Sequence, residues 1–140
     1  MILFVGFAED ELNLLNKAAE RLDVLHRCAF IAEIGTIDDA GHLVNTEAIS
    51  RKFPSVIFLN LDSKTESWQK SLTDLKDHPR LRGLPVVGLG RVPEDQIVQL
   101  YEMRLNSYIR KPNTFEAMVK TADIALKFWL DVSMVPGRYI

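Results

Sequence analysis

Pro54-Ser-Val-Ile-Phe-Leu-Asn60 is an apolar segment that ends in one polar side chain, and Tyr108-Ile-Arg-Lys-Pro112 ends in a lysine that a proline follows at once. Continuous apolar runs of this length are typical of strands that are buried on both faces of a parallel sheet. In such a sheet the polar groups that follow the strands lie at the carboxyl edge, where α/β folds bind their ligands. A reactive site at this edge is expected to present a carboxylate, and the chain presents an amide instead.

The rest of the chain alternates between short apolar runs and amphipathic stretches. Five runs are predicted as strands: Ile2–Val5, Cys28–Ile34, Val56–Leu59, Pro85–Leu89 and Ser107–Ile109. Apolar residues at helical spacing between them predict about five helices, of which Thr46–Lys52 is a short one. Strands that alternate with helices predict an α/β fold with a doubly wound, five-stranded parallel sheet.

Two segments have the spacing of a helix capping box, in which a polar side chain and a glutamate three residues later bind backbone N–H groups of the first turn. These are Ser63 with Glu66 and Asn113 with Glu116. The sequence therefore predicts that the third helix begins after Ser63 and the last helix after Asn113.

Length and composition predict one domain over residues 1–131, with residues 132–140 as a C-terminal tail that carries a Pro-Gly pair and no periodicity. A net charge of −2 gives no sign of attraction to nucleic acid or to a membrane surface. No apolar run reaches the roughly 18 residues that a membrane span needs. The single cysteine, Cys28, cannot form a disulfide within the chain, so we expect a cytoplasmic location.

Three segments in order resemble the receiver domain of response regulators, the flavodoxin-like module of bacterial two-component signalling. Residues 54–61 resemble the family pattern P-D-L-I-L-L-D-L. Residues 75–87 resemble L-K-x-x-P-x-L-x-x-I-P-V-V, and residues 101–112 resemble Y-E-L-G-A-N-G-Y-L-V-K-P. The resemblance covers roughly residues 1–130 and implies the flavodoxin-like receiver topology of the CheY-like superfamily.

The resemblance also implies a set of groups for phosphorylation on an aspartate. In receivers an acid pair and the aspartate hold Mg²⁺, the aspartate is the nucleophile, and a Thr or Ser and a Lys bind the phosphoryl oxygens. One of these five groups is retained: Lys111, with Pro112 behind it. The other positions fall on residues that cannot do this chemistry: the acid pair on Gly6 and Phe7, the aspartate on Asn60, and the Thr or Ser on Gly90.

An amide is a poor phosphoryl acceptor because its nitrogen lone pair is delocalised, and neutral ligands hold Mg²⁺ poorly. We therefore expect no autophosphorylation, no metal, no cofactor and no enzymatic activity. Two rescues remain open. Glu9 and Asp10 could supply the missing acid pair, or Asp62, two residues past Asn60, could act as a displaced acceptor.

A third alternative is a small-anion site at the same edge. Gly6 and Gly90 would open backbone N–H groups there, and Lys111 would add a positive charge. A buried lysine without a partner is costly, so we expect Lys111 to bind Asn60 or a nearby carboxylate such as Asp62 or Glu9.

The favoured hypothesis is a phosphorylation-independent pseudo-receiver that works through protein–protein contacts. Its partner would be a protein of a histidine-kinase pathway, another signalling protein or a second copy of the chain, with no nucleic acid and no membrane. The resemblance places the contact on the face formed by the predicted fourth helix, fifth strand and fifth helix. That face would present the following residues, among which Tyr108 matches the switch aromatic of the family: Tyr101, Arg104, Tyr108, Arg110, Phe115 and Lys120.

Overall fold

The sheet has five strands, and every neighbouring pair is parallel. The computed structural model describes residues 1–32, 54–64 and 66–132. The strands are β1 (Ile2–Val5), β2 (Cys28–Ile31), β3 (Val56–Asn60), β4 (Val86–Gly90) and β5 (Ser107–Arg110). Their spatial order is β2-β1-β3-β4-β5, which is the flavodoxin-like arrangement. The predicted fold class is therefore confirmed.

Four α-helices lie in the described ranges: α1 (Glu9–Arg21), α2 (Trp68–Asp77), α3 (Glu94–Glu102) and α4 (Phe115–Lys127). A short 3₁₀ turn covers Leu25–Arg27, and a π-helical turn, Phe128–Val132, extends α4. The predicted helix Thr46–Lys52 and residues 133–140 of the predicted tail lie outside the described residues, so α3 and α4 correspond to the predicted fourth and fifth helices. Within the described part of the chain, no helix is both long and apolar enough to cross a membrane.

Helices cover both faces of the sheet because successive side chains of each strand point in opposite directions. On one face, Leu3 and Ile57 pack with Trp68 in a core that also takes residues of α2 and α3. On the other face, Phe4 and Phe58 pack with residues of α1 and α4. Burial on both sides explains why these strands are continuously apolar. The carboxyl ends of all five strands lie at one edge because the strands are parallel.

The two predicted helix starts are wrong, by four residues for α2 and by one for α4. Ser67 caps α2, because its Oγ accepts a hydrogen bond from the backbone N–H of Lys70 at 3.2 Å. Thr114 caps α4 in the same way through the N–H of Ala117, also at 3.2 Å. In each segment a second polar side chain follows the predicted cap, and the residue that carries it, Ser67 or Thr114, has an extended backbone directly before the helix.

Cys28 is half-buried at the start of β2, and its thiol donates a hydrogen bond to the carbonyl oxygen of Val24 at 3.4 Å. Burial raises the pKa of this thiol to about 11. Because the thiolate is the reactive form, Cys28 is unsuited to nucleophilic chemistry near neutral pH.

Candidate functional site

The carboxyl edge of the sheet brings Asn60 and Lys111 together. Asn60 is the last residue of β3, and Lys111 directly follows β5. The strand order reverses between β1 and β3, which is where open α/β sheets bind ligands. Asn60 is 3% exposed and Lys111 4% exposed, so both polar groups are buried.

The Lys111 ammonium is bound by three oxygen atoms from three different residues. Its Nζ lies 2.6 Å from Oδ1 of Asn60, 2.6 Å from Oε2 of Glu11 and 3.2 Å from Oδ2 of Asp62. An ammonium has three N–H donors, so these contacts satisfy it completely. The expected contact with Asn60 and a carboxylate is present, and the charge of the lysine is neutralised inside the fold.

Both ends of the Asn60 amide are also engaged. Its Nδ2 donates to the carbonyl oxygen of Gly6 at 2.8 Å, and its Oδ1 accepts from the backbone N–H of Asp62 at 3.1 Å as well as from Lys111. The orientation of the amide is fixed, since a carbonyl oxygen only accepts and an ammonium only donates. Asn60 is therefore a structural connector between β1, β3 and β5.

Glu11 is the site residue that the sequence prediction missed. It is the third residue of α1, and it uses Oε1 to accept from the backbone N–H of Ala8 at 3.3 Å while Oε2 binds Lys111. Glu9 and Asp10, which could have supplied the missing acid pair, are both exposed. The available signal was helical position, because a glutamate at the third position of a helix turns back toward the edge from which the helix starts.

The residues at the magnesium positions do not fit a magnesium ion. The Gly6 oxygen accepts from Asn60, and Phe7 is an apolar ring that packs edge-on against Phe4 with 6.0 Å between ring centroids. The carboxylates of Glu11 and Asp62 both contact the Lys111 ammonium. Throughout residues 1–32, 54–64 and 66–132, no group of three or more His, Cys, Asp or Glu is arranged to hold a metal ion.

The end of β4 has no room for a side chain. A Cβ atom on Gly90 would lie 2.7 Å from Cβ of Leu61 and 2.9 Å from Oδ1 of Asp62. The Asp62 carboxylate fills this space and accepts from the backbone N–H of Arg91, at 2.9 Å to Oδ1 and 3.2 Å to Oδ2. A phosphoryl-binding hydroxyl, which the resemblance implies at position 90, cannot be added to this arrangement.

Tyr108 is half-buried and connects β5 to the segment after β4. Its hydroxyl donates to the carbonyl oxygen of Gly90 at 3.0 Å and accepts from the backbone N–H of Val92 at 3.1 Å. Its own backbone N–H donates to the hydroxyl of Tyr101, on α3, at 3.1 Å. The two tyrosines are thereby joined in one hydrogen-bonded series.

A cavity of about 700 Å³ lies at the carboxyl edge, and its lining includes Phe7, Asp62 and Lys111. Phe7 is one wall of the cavity and does not fill it. The small-anion hypothesis requires free donors at Gly6, Gly90 and Lys111, and two of these three are already occupied. The N–H of Gly6 donates to the carbonyl oxygen of Ile31, and Lys111 is bound by carboxylates.

The residues expected on the partner face are mostly exposed. Five of the six are exposed, and Tyr108 is half-buried. The exposed residues are Tyr101, Arg104, Arg110, Phe115 and Lys120, of which Phe115 also lines the large cavity. The sequence did not predict an apolar groove of about 320 Å³ that lies on this face between β5 and α4. Its lining includes two strongly exposed apolar residues, Ile124 and Phe128.

Comparison with known proteins gives two curated relatives, and no family model matches the chain. The chain is 28% identical over 138 residues to the "Probable methanogenesis regulatory protein FilR2" of Methanothrix harundinacea (strain 6Ac), covering 98% of this chain and 88% of that protein. It is 29% identical over 85 residues to the response regulator Rcp1 of Synechocystis sp. (strain ATCC 27184 / PCC 6803 / Kazusa), covering 60% of this chain and 58% of that protein.

Solved structures give the same fold over nearly the whole chain. The phosphorylated cyanobacterial phytochrome response regulator RcpA superposes with a TM-score of 0.80 at 22% identity, covering 96% of each chain. The Mn²⁺-bound form of the response regulator Rcp1 gives a TM-score of 0.77 at 22% identity, covering 96% of this chain and 97% of that one. The chain therefore has the receiver fold of response regulators.

Proposed function

We propose that the chain is a phosphorylation-independent receiver domain that acts as a protein–protein interaction module in two-component or phosphorelay-type signalling, in the cytoplasm. The receiver fold and the similarity to a response regulator and to a regulatory protein support a signalling role. The observation that carries the proposal is the closed contact set of Lys111 with Asn60, Glu11 and Asp62. Because the Lys111 charge is already balanced by carboxylates of the chain itself, we propose that the domain acts through contact with other proteins.

One observation favours the alternative of a displaced phosphoacceptor. The Asp62 side chain is 31% exposed and lines the large cavity, so a small phosphodonor could reach it. Against it, the carboxylate is held by Lys111 and by the N–H of Arg91, and no hydroxyl can be placed at Gly90. A phosphoryl group arriving on Asp62 would therefore lack the stabilising groups that lower the barrier to transfer.

Incubation of the protein with acetyl phosphate and Mg²⁺ is expected to leave its intact mass unchanged. Mass spectrometry under non-hydrolysing conditions provides the measurement, with Asp62→Asn as the matched variant. Asn60→Asp is expected to remain unmodified as well, because the acid pair is still missing. A gain of one phosphoryl group that is lost in Asp62→Asn would refute the proposed function and establish the alternative.

The proposed contact surface is the face of α3, β5 and α4. It combines exposed cations, Arg104 and Arg110, with the exposed aromatic side chain of Tyr101 and the apolar groove beside Ile124. Apolar anchors surrounded by charged residues are typical of protein–protein contacts. A protein partner or a second copy with carboxylates opposite the two arginines would complement this face.

Charge reversal of both arginines, Arg104→Glu with Arg110→Glu, is expected to weaken every specific contact of the face by about tenfold or more, because like charges then oppose the partner. The measurement is binding to candidate pathway proteins by pull-down and titration, together with solution mass for self-association. Lys17→Glu, an exposed reversal on α1, is the control and should leave binding unchanged. Partners that remain bound to the double variant would exclude this face.

A further inference from the structure

The Asp62 carboxylate joins the ends of three neighbouring strands. Asp62 lies two residues beyond β3, its carboxylate accepts from the N–H of Arg91 just beyond β4, and it contacts the Lys111 ammonium just beyond β5. Its own backbone N–H is fixed by Oδ1 of Asn60 at 3.1 Å. A carboxylate that accepts from a backbone N–H and an ammonium together makes strong, charge-assisted hydrogen bonds.

The segment 90–92 is held from two sides by different residues. Asp62 binds the N–H of Arg91, while the Tyr108 hydroxyl binds the carbonyl of Gly90 and the N–H of Val92. The three contacts fall on successive residues of one short stretch, so a shift of Arg91 changes the positions of both partners of the tyrosine hydroxyl. Val92 is 3% exposed, which leaves little freedom for a local adjustment.

We propose that the Asp62 carboxylate is a built-in anionic ligand of the corner formed by Lys111 and the Arg91 N–H, and that it keeps Tyr108 in its half-buried position without any modification of the protein. The inference rests on the proposed function and gives it a mechanism. A group from the chain itself holds the segment 90–92, so the arrangement is permanent. The backbone N–H of Tyr108 in turn donates to the hydroxyl of Tyr101, so a fixed Tyr108 also fixes an exposed residue of the proposed contact face.

The test compares amide hydrogen exchange by NMR in the wild type, Asp62→Ala and Asp62→Asn. Loss of the carboxylate is expected to raise the exchange rates of the Arg91, Val92 and Tyr108 amides by about tenfold or more, because each depends on a hydrogen bond of this series. The β1 amides of Leu3 and Phe4 report that the sheet is intact. Asp10→Ala removes an exposed carboxylate from the same cavity and should leave all these rates unchanged.

Three outcomes would overturn the inference. Faster exchange at Arg91 alone would show that Asp62 binds the Arg91 N–H without affecting the position of Tyr108. Full protection in Asp62→Asn would show that the negative charge is not needed. Equal acceleration in Asp10→Ala would reduce the effect to general electrostatics of the cavity. Failure of the proposed function is observed separately, as a phosphoryl gain on the wild-type chain, so the experiments distinguish the failure of one proposal from the failure of the other.

Discussion

Replacing Lys111 with methionine is expected to lower the free energy of unfolding by about 3 kcal/mol, because removing one partner of a buried ion pair leaves the other charge unpaired. Methionine keeps most of the apolar stem of the side chain, so the change isolates the ammonium. Two carboxylates and the Asn60 oxygen would then face each other without the ammonium between them. Glu11 and Asp62 are 21% and 31% exposed, so partial hydration holds the cost below the largest values known for such changes.

Urea unfolding at neutral pH measures this cost, and Lys120→Met, an exposed lysine on α4, is the matched control with an expected effect within about 0.5 kcal/mol. Adding Glu11→Gln and Asp62→Asn to Lys111→Met should recover part of the loss, because the unpaired charges are then gone. A loss no larger than that of the control would mean that the ammonium does not stabilise this edge.

Gly90→Thr, which adds back the residue type that the resemblance implies, is expected to destabilise the protein by about 3 kcal/mol through overpacking. The added Cβ would meet Cβ of Leu61 at 2.7 Å, and that atom is fixed directly to the backbone and cannot rotate away. Gly88→Ala should cost less, because its closest contact, at 2.8 Å, is the mobile end of the Leu61 side chain. Thermal and urea unfolding of the series provide the comparison.

Gly83→Ala completes this series as the control. A Cβ there meets nothing within 4 Å, so its effect should lie within about 0.5 kcal/mol. The expected order of cost is therefore Gly90, then Gly88, then Gly83. If Gly90→Thr were as stable as the wild type, the segment after β3 would have to move aside easily, and the close approach of Asp62 to β4 would not constrain the sequence.

The sheet could be predicted from the sequence because its three central strands, β1, β3 and β4, are buried on both faces. Runs such as Ile2–Val5 admit few other structures, and the observed strand has the predicted bounds. The positions of Asn60 and Lys111 at one edge followed from the same logic, since the carboxyl ends of parallel strands meet. The choice between nearby polar side chains as the helix cap was harder to predict. Ser67 and Thr114 cap helices that the spacing of their neighbours had started earlier.

The finer details of the site depended on geometry that no local pattern contains. Glu11 reaches Lys111 because α1 begins at Glu9 and turns its third side chain back toward the sheet, whereas a shift of the helix start by two residues would have presented a different acid. The collision at Gly90 depends on the path of Leu61 and Asp62 after β3. Such paths are set by packing between segments far apart in the chain, and a single sequence does not give them.

The way Asp62 fills the space beside Gly90 also constrains how a phosphotransfer site could be built into this chain. Asp at position 60 would place a third carboxylate on one ammonium, and Thr at position 90 would strike Asp62. Either substitution is expected to destabilise the protein as long as Asp62 is present. The effect of each substitution therefore depends on the residue at position 62, which is sign epistasis. A phosphotransfer site could therefore be built into this edge only in a required order, in which Asp62 is replaced first.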